Sequence, residues 1–114
     1  MKIAIVGSKC EEAYCMGRFI PEDVTEIVAY GTKGVSPVAK EYALLHNIKF
    51  TEFIPQQKKL LKKVDYDKIN SFVDYFDEVI EFGDKRSRDV EYIMNRSHKC
   101  FKHIIFVVKV VSIR

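Results

Sequence analysis

The stretch Thr25-Glu26-Ile27-Val28-Ala29-Tyr30-Gly31-Thr32-Lys33-Gly34-Val35-Ser36 passes from a short, apolar, β-branched run into a turn punctuated by two glycines. Strand character ends at Tyr30, and the residues from Ser36 to His46 carry apolar side chains at helical spacing. A turn that opens onto a helix start presents backbone N–H groups and the positive end of a helix dipole, both of which favour an anion. A second junction of this kind lies upstream, where Ile3-Ala4-Ile5-Val6 ends at Gly7-Ser8-Lys9. Two strand-to-glycine junctions in one short chain predict a single ligand-binding rim.

On either side of this stretch the chain alternates between strand and helix patterns. Lys2 to Val6 is a continuous apolar run of the kind expected for a strand buried on both faces, hence for the centre of a parallel sheet. Residues 11 to 20 suggest a short helix with Met16, Phe19 and Ile20 on its apolar side. The helix from Ser36 or Pro37 has Val38, Ala39, Tyr42, Ala43 and Leu45 as its expected buried stripe, with Pro37 in the first turn and Asn47 at the end. A third strand spans Ile48 to Ile54, expected at a sheet edge and closed by Pro55. Gln56 to Lys63 is basic, and its Lys58-Lys59 and Lys62-Lys63 pairs, without interleaved aromatics, read as solvated charge rather than a nucleic-acid patch. A helix follows over Asp65 to Phe76, with Ile69, Phe72, Val73 and Phe76 on one face. Glu78 to Phe82 is a fourth strand, Asp89 to Lys99 a helix and His103 to Val111 a fifth strand. The alternation predicts a three-layer, Rossmann-like α/β fold: a mainly parallel sheet of about five strands flanked by helices, in one domain over residues 1–114.

Composition agrees with a folded domain of ordinary size, since 114 residues with 47% hydrophobic and 31% charged side chains can bury one modest core. The net charge of +3 suits phosphate-bearing small molecules but falls short of a nucleic-acid footprint. Cys10, Cys15 and Cys100 are odd in number and lack metal-ligand spacing, and His46, His98 and His103 are scattered, so neither a metal site nor a disulfide framework is expected. The apolar start is too short for a signal-peptide core and no run reaches membrane-spanning length, so the expectation is a cytoplasmic protein without membrane partners.

In folds of this class ligands bind beyond the carboxyl ends of the strands. Gly7, Ser8 and Lys9 follow the first strand, Gly31, Thr32, Lys33, Gly34, Val35 and Ser36 the second, and Asp84, Arg86, Ser87 and Arg88 the fourth. None of these loops is a Walker or dinucleotide fingerprint. Each also has a plainer reading: the glycines permit positive φ and close packing, the serines cap helices, and the basic side chains are surface charge.

Together these stretches resemble the YpsA-related branch of the SLOG superfamily, Rossmann-like domains related to the DprA and lysine-decarboxylase-like proteins, over nearly the whole chain. Val6-Gly7-Ser8-Lys9 stands where that branch has a strand ending in Gly-Ser-Arg, and Tyr30-Gly31-Thr32-Lys33-Gly34-Val35-Ser36 where it has Gly-Gly-Ala-x-Gly-(Ala/Val)-Asp. Ile69-Asn70 takes the place of an Arg-Asn pair at a helix start, which brings Asn70 into the expected site. Asp84 to Val90 takes the place of Asp-Gly-x-Ser-x-Gly-Thr. Tyr30, Ser36, Ile69 and Asp89-Val90 depart from the pattern, and a carboxylate at a helix start occupies the position that an anionic ligand would take.

The resemblance implies a binding domain for a nucleotide or nucleotide-derived ligand, without a further cofactor, acting as a sensor. Two other readings stay open. One is a nucleotide N-glycosidase or phosphoribohydrolase, for which Glu81 and Asp84 are the nearest carboxylates. The other is a ligand-free domain that serves in assembly. The apolar C-terminal segment, with Phe101, Phe106, Val107, Val108, Val110 and Val111, makes a homodimer or higher homo-oligomer an expected partner state.

Overall fold

The computed structural model describes residues 1–56 and 64–108. Five strands, β1 (Lys2–Gly7), β2 (Glu26–Tyr30), β3 (Lys49–Phe53), β4 (Glu78–Phe82) and β5 (His103–Val107), form one sheet in the order β3-β2-β1-β4-β5. Every neighbouring pair is parallel. Three α-helices, α1 (Ser36–Leu45), α2 (Tyr66–Tyr75) and α3 (Arg88–Lys99), and a 3-10 segment over Glu11–Arg18 make the connections.

Side-chain alternation along β1 divides the core. Ile3 and Ile5 pack with the 3-10 segment and α1 through Ala13, Met16, Ala39 and Ala43. Ala4 and Val6 point the other way and meet α2 and α3 through Ile69, Phe72, Val73 and Ile93. Burial of the sheet on both faces explains the unbroken apolar run in β1, because neither face of a central parallel strand meets water. It produces the three layers expected from the alternation of elements.

Local chemistry sets the helix boundaries. Asp65 caps α2 by accepting from the Lys68 amide at 3.1 Å, and it also accepts from the Gln56 amide at 3.0 Å. These two amides hold the Asp65 carboxyl below its ordinary pKa of 3.8. At the end of α1, Asn47 turns left-handed (φ 53°), and the Asn47 and Ile48 amides donate to the carbonyls of Leu44 and Ala43. That closes the helix in a Schellman motif and delivers the chain directly to β3.

The structure corrects three expectations drawn from the sequence. Leu45 is exposed rather than part of the α1 stripe, because Ala39 and Ala43 set the buried face and Leu45 points away from it. The short helix expected over residues 11 to 20 is a tight 3-10 segment over Glu11–Arg18 with a kink at Cys15; Ala13 and Met16 are buried within it, and Phe19 and Ile20 pack against the core just past its end. Ile69-Asn70 lies inside α2, as the helix read over Asp65 to Phe76 has it, and not at the helix start where the resembling pattern carries its Arg-Asn pair. The basic residues 57–63, and the part of the expected fifth strand beyond Val108, lie outside the described residues.

Candidate ligand-binding cavity

Parallel strands bring all their following loops to one end of the sheet, and there the loops after β1, β2, β3 and β4 border a cavity of about 640 Å³. This is within the roughly 300–1,000 Å³ typical of small-molecule sites. The strand order changes direction beside β1, where β2 lies on one side and β4 on the other, so the cavity sits at the topological switch point.

Of the residues singled out in the sequence, Gly7, Ser8, Gly31, Thr32, Lys33, Gly34, Ser36, Arg86 and Ser87 line this cavity. The others do not. Val35 is fully buried in the core beneath it. Lys9 borders a separate depression with Tyr14, Pro37 and Glu41. Asn70 accepts from the Tyr92 hydroxyl at 3.4 Å between α2 and α3, while Asp84 and Arg88 are exposed on and after the β4–α3 loop.

The two glycines of the β2 turn have different tasks. Gly34 has φ +64°, and a Cβ there would overlap the Gly7 carbonyl oxygen, which also accepts from the Val35 amide at 3.2 Å. Gly34 therefore locks the β1 and β2 loops together. Gly31 has φ +72° with nothing within 4 Å of a Cβ position, and it borders the cavity. Its requirement is the left-handed backbone alone.

The start of α1 is less open to an anion than the sequence suggests. The Val35 amide goes to Gly7, the Ser36 amide to the Lys33 carbonyl at 3.2 Å, and Pro37 has none. Ser36 is buried, and its hydroxyl donates to the Tyr30 carbonyl at 3.5 Å. Among the described residues, no hydrogen bond uses the amides of Thr32, Lys33 or Gly34 on the crest of the turn, nor those of Ser8, Lys85, Arg86, Ser87 or Asp89, so donors without a partner are found on the β1, β2 and β4 loops that border the cavity.

At the start of α3, Ser87 caps the helix by accepting from the Val90 amide at 3.2 Å. Asp89, in the first turn, lines the cavity with Val90 and Ile93, and Ile93 stands one turn on from both at helical spacing. Burial, and then the nearby Asp65 carboxylate, raise the Asp89 pKa above 3.8. The Tyr30 hydroxyl is buried without a hydrogen-bond partner among the described residues, and burial followed by the charges of Asp89 and Asp65 pushes its pKa strongly upward. Arg86 is held away from simple surface duty: its Nε and Nη2 both donate to the buried Glu81 carboxylate at 2.8 Å. That pairing raises the Arg86 pKa and, among the described residues, leaves Lys33 and Lys85 as the lining cations without such a clamp.

Ile54, Pro55, Lys85 and the inward faces of Val90 and Ile93 also line the cavity, although the sequence did not single them out. Ile54-Pro55 was accessible by topology, because it follows a strand of the same parallel sheet. Among the described residues, no cluster of His, Cys, Asp and Glu could hold a metal ion, and no helix is long and apolar enough to cross a membrane. No protein-family model, curated protein or solved structure matches the chain.

Proposed function

We propose that this protein is a binding domain for a nucleotide or nucleotide-derived small molecule, held at the switch-point cavity. The observation that carries the reading is the coincidence of three features: the unused Thr32, Lys33 and Gly34 amides, the Lys33 and Lys85 side chains, and an apolar wall of Ile54, Pro55, Val90 and Ile93. Amides and ammonium groups suit a phosphate, and the wall suits a flat ring. The resemblance to YpsA-related SLOG domains supports the same assignment.

Binding is favoured over hydrolysis. Glu81 is buried and paired with Arg86, and Asp84 does not line the cavity, which leaves Asp89 as the one lining carboxylate among the described residues, where glycoside hydrolysis calls on a pair. Binding is also favoured over a ligand-free domain, because Asp89 borders an open cavity instead of filling it. Exposed Phe101, Phe106 and Val108 at the β5 edge are the surface through which a homodimer would form.

A thermal unfolding series with mononucleotides, dinucleotides and ADP-ribose derivatives tests the reading. A ligand at one hundred times its Kd stabilises the fold by about 2.7 kcal/mol, a shift of several degrees for a domain of this size. No shift with any member of the panel would overturn it.

A further inference from the structure

We propose that Glu81 is a positioning residue for the cavity: it fixes Arg86 so that the guanidinium N–H groups left unused by the pair meet the anionic group of the ligand. The proposal rests on the nucleotide-binding reading and adds to it a contact from the β4 side of the rim.

Glu81 stands where the fold has no use for a charge. It is in register with Val6 of β1 on one side and Phe106 of β5 on the other, on the sheet face that packs against α2 and α3 and that Val79 shares. Its side chain is 3% exposed, whereas that of Arg86 is 37% exposed and lines the cavity. A ligand can thus reach the guanidinium but not the carboxylate. A buried ion pair adds little stability over apolar side chains of similar size, so packing alone does not account for a glutamate here.

The pair has a fixed geometry. Glu81 Oε2 and Oε1 accept from Arg86 Nε and Nη2, each at 2.8 Å, and the Phe106 ring centre lies 5.8 Å from the guanidinium carbon. Two parallel bonds set the plane of the guanidinium and remove rotamer freedom that an unpaired arginine keeps. The N–H groups of Nη1 and the second one of Nη2 have no acceptor among the described residues. That free edge matches two oxygens of a phosphate. Lys33 and the β2 crest border the cavity from the other side of β1, so an anion there is held between two loops.

The sign of one effect separates positioning from simple charge. If charge alone mattered, removing the Glu81 carboxylate would tighten the binding of an anion; if Glu81 aims Arg86, removing it weakens that binding.

Calorimetric titration of the full chain with AMP, ADP-ribose and inorganic pyrophosphate at pH 7 tests the proposal. Glu81→Gln should weaken every compound that the native chain binds by at least fivefold, although it takes a negative charge away from an anion site. Arg86→Lys keeps the charge and loses the fork; it should weaken binding to a similar degree, and adding it to Glu81→Gln should cost less than a further twofold. Because Arg86 is partly exposed, this variant carries the test if Glu81→Gln fails to fold. Asp84→Asn removes an equal charge from the same loop without touching the pair, and should change affinity by less than twofold. The Arg86 Nε–H resonance of the native chain should shift as AMP or pyrophosphate saturates the site. Binding unchanged or tightened by Glu81→Gln, undiminished by Arg86→Lys, or weakened as much by Asp84→Asn would overturn the proposal and leave nucleotide binding standing, as would an Arg86 Nε–H unmoved at saturation. Binding of neither AMP nor ADP-ribose by the native chain would overturn both.

Discussion

At the start of α1 the backbone is tied inward, through the Val35 amide to Gly7 and the Ser36 amide to Lys33, whereas at the start of α3 the backbone is capped by Ser87 and a carboxylate, Asp89, faces the cavity. Both helices begin at the same rim, and neither is a vacant anion hole. A helix N-terminus recruits an anion only if its amides are unused and its first turn is uncharged. On the α1 side of the rim, the proposed anion contact therefore falls just ahead of the helix, on the unused amides at the crest of the β2 turn.

Substitutions probe the contrast between the two helix starts at several points. Gly34→Ala has the largest expected effect, about 3 kcal/mol of stability, because it adds left-handed strain to a clash with the Gly7 carbonyl that locks the two loops. Denaturant unfolding checks it, and a loss no greater than that of Gly31→Ala would dissolve the distinction between the two glycines. For Gly31→Ala, where the Cβ meets open space, only the left-handed backbone is strained, costing about 1–2 kcal/mol.

Ser87→Ala removes the cap of α3 and should cost about 1 kcal/mol, read by the same unfolding curves. Asp89→Asn has the smallest expected effect and isolates the charge at the start of α3. A carboxyl whose folded pKa is raised contributes stability below its unfolded pKa and loses it as pH rises through the folded value. The neutral variant should thus be the more stable at pH 7, by about 0.5 kcal/mol, with the gap closing as pH falls through the raised folded pKa and gone below about 4. A native chain more stable than the variant at neutral pH would show that the dipole of α3 outweighs the burial of Asp89.

The fold was legible because its signals were local and strong. The unbroken Ile3-Ala4-Ile5-Val6 run marks a central strand, and the positions of Gly31 and Asn47 bracket α1. Half of the rim was legible too, since strand-end loops must converge when every strand is parallel. What the sequence could not show was which groups had already found partners. Arg86 reads as a free cation until Glu81 is seen beneath it, and Val35 reads as part of a phosphate turn until its amide is seen on Gly7. Asn70 misled because the resemblance alone brought it to the site: it lies within α2, and its side chain meets the Tyr92 hydroxyl of α3 instead of the cavity. Tyr30 and Asp89 stand in the sequence only as departures from a pattern, and the cavity gives them a common location.

Nucleotide binding on the crest of the β2 turn can be read residue by residue, from the perturbation of backbone amide resonances as a nucleoside monophosphate is added to the full chain. The largest shifts are expected at Thr32, Lys33 and Gly34, with further shifts at Ser8 and Val90 and none at Asp77 or Phe101, at the opposite end of the sheet or beyond α3. Saturable shifts that leave Thr32 to Gly34 unmoved and gather elsewhere would contradict a phosphate site on that crest.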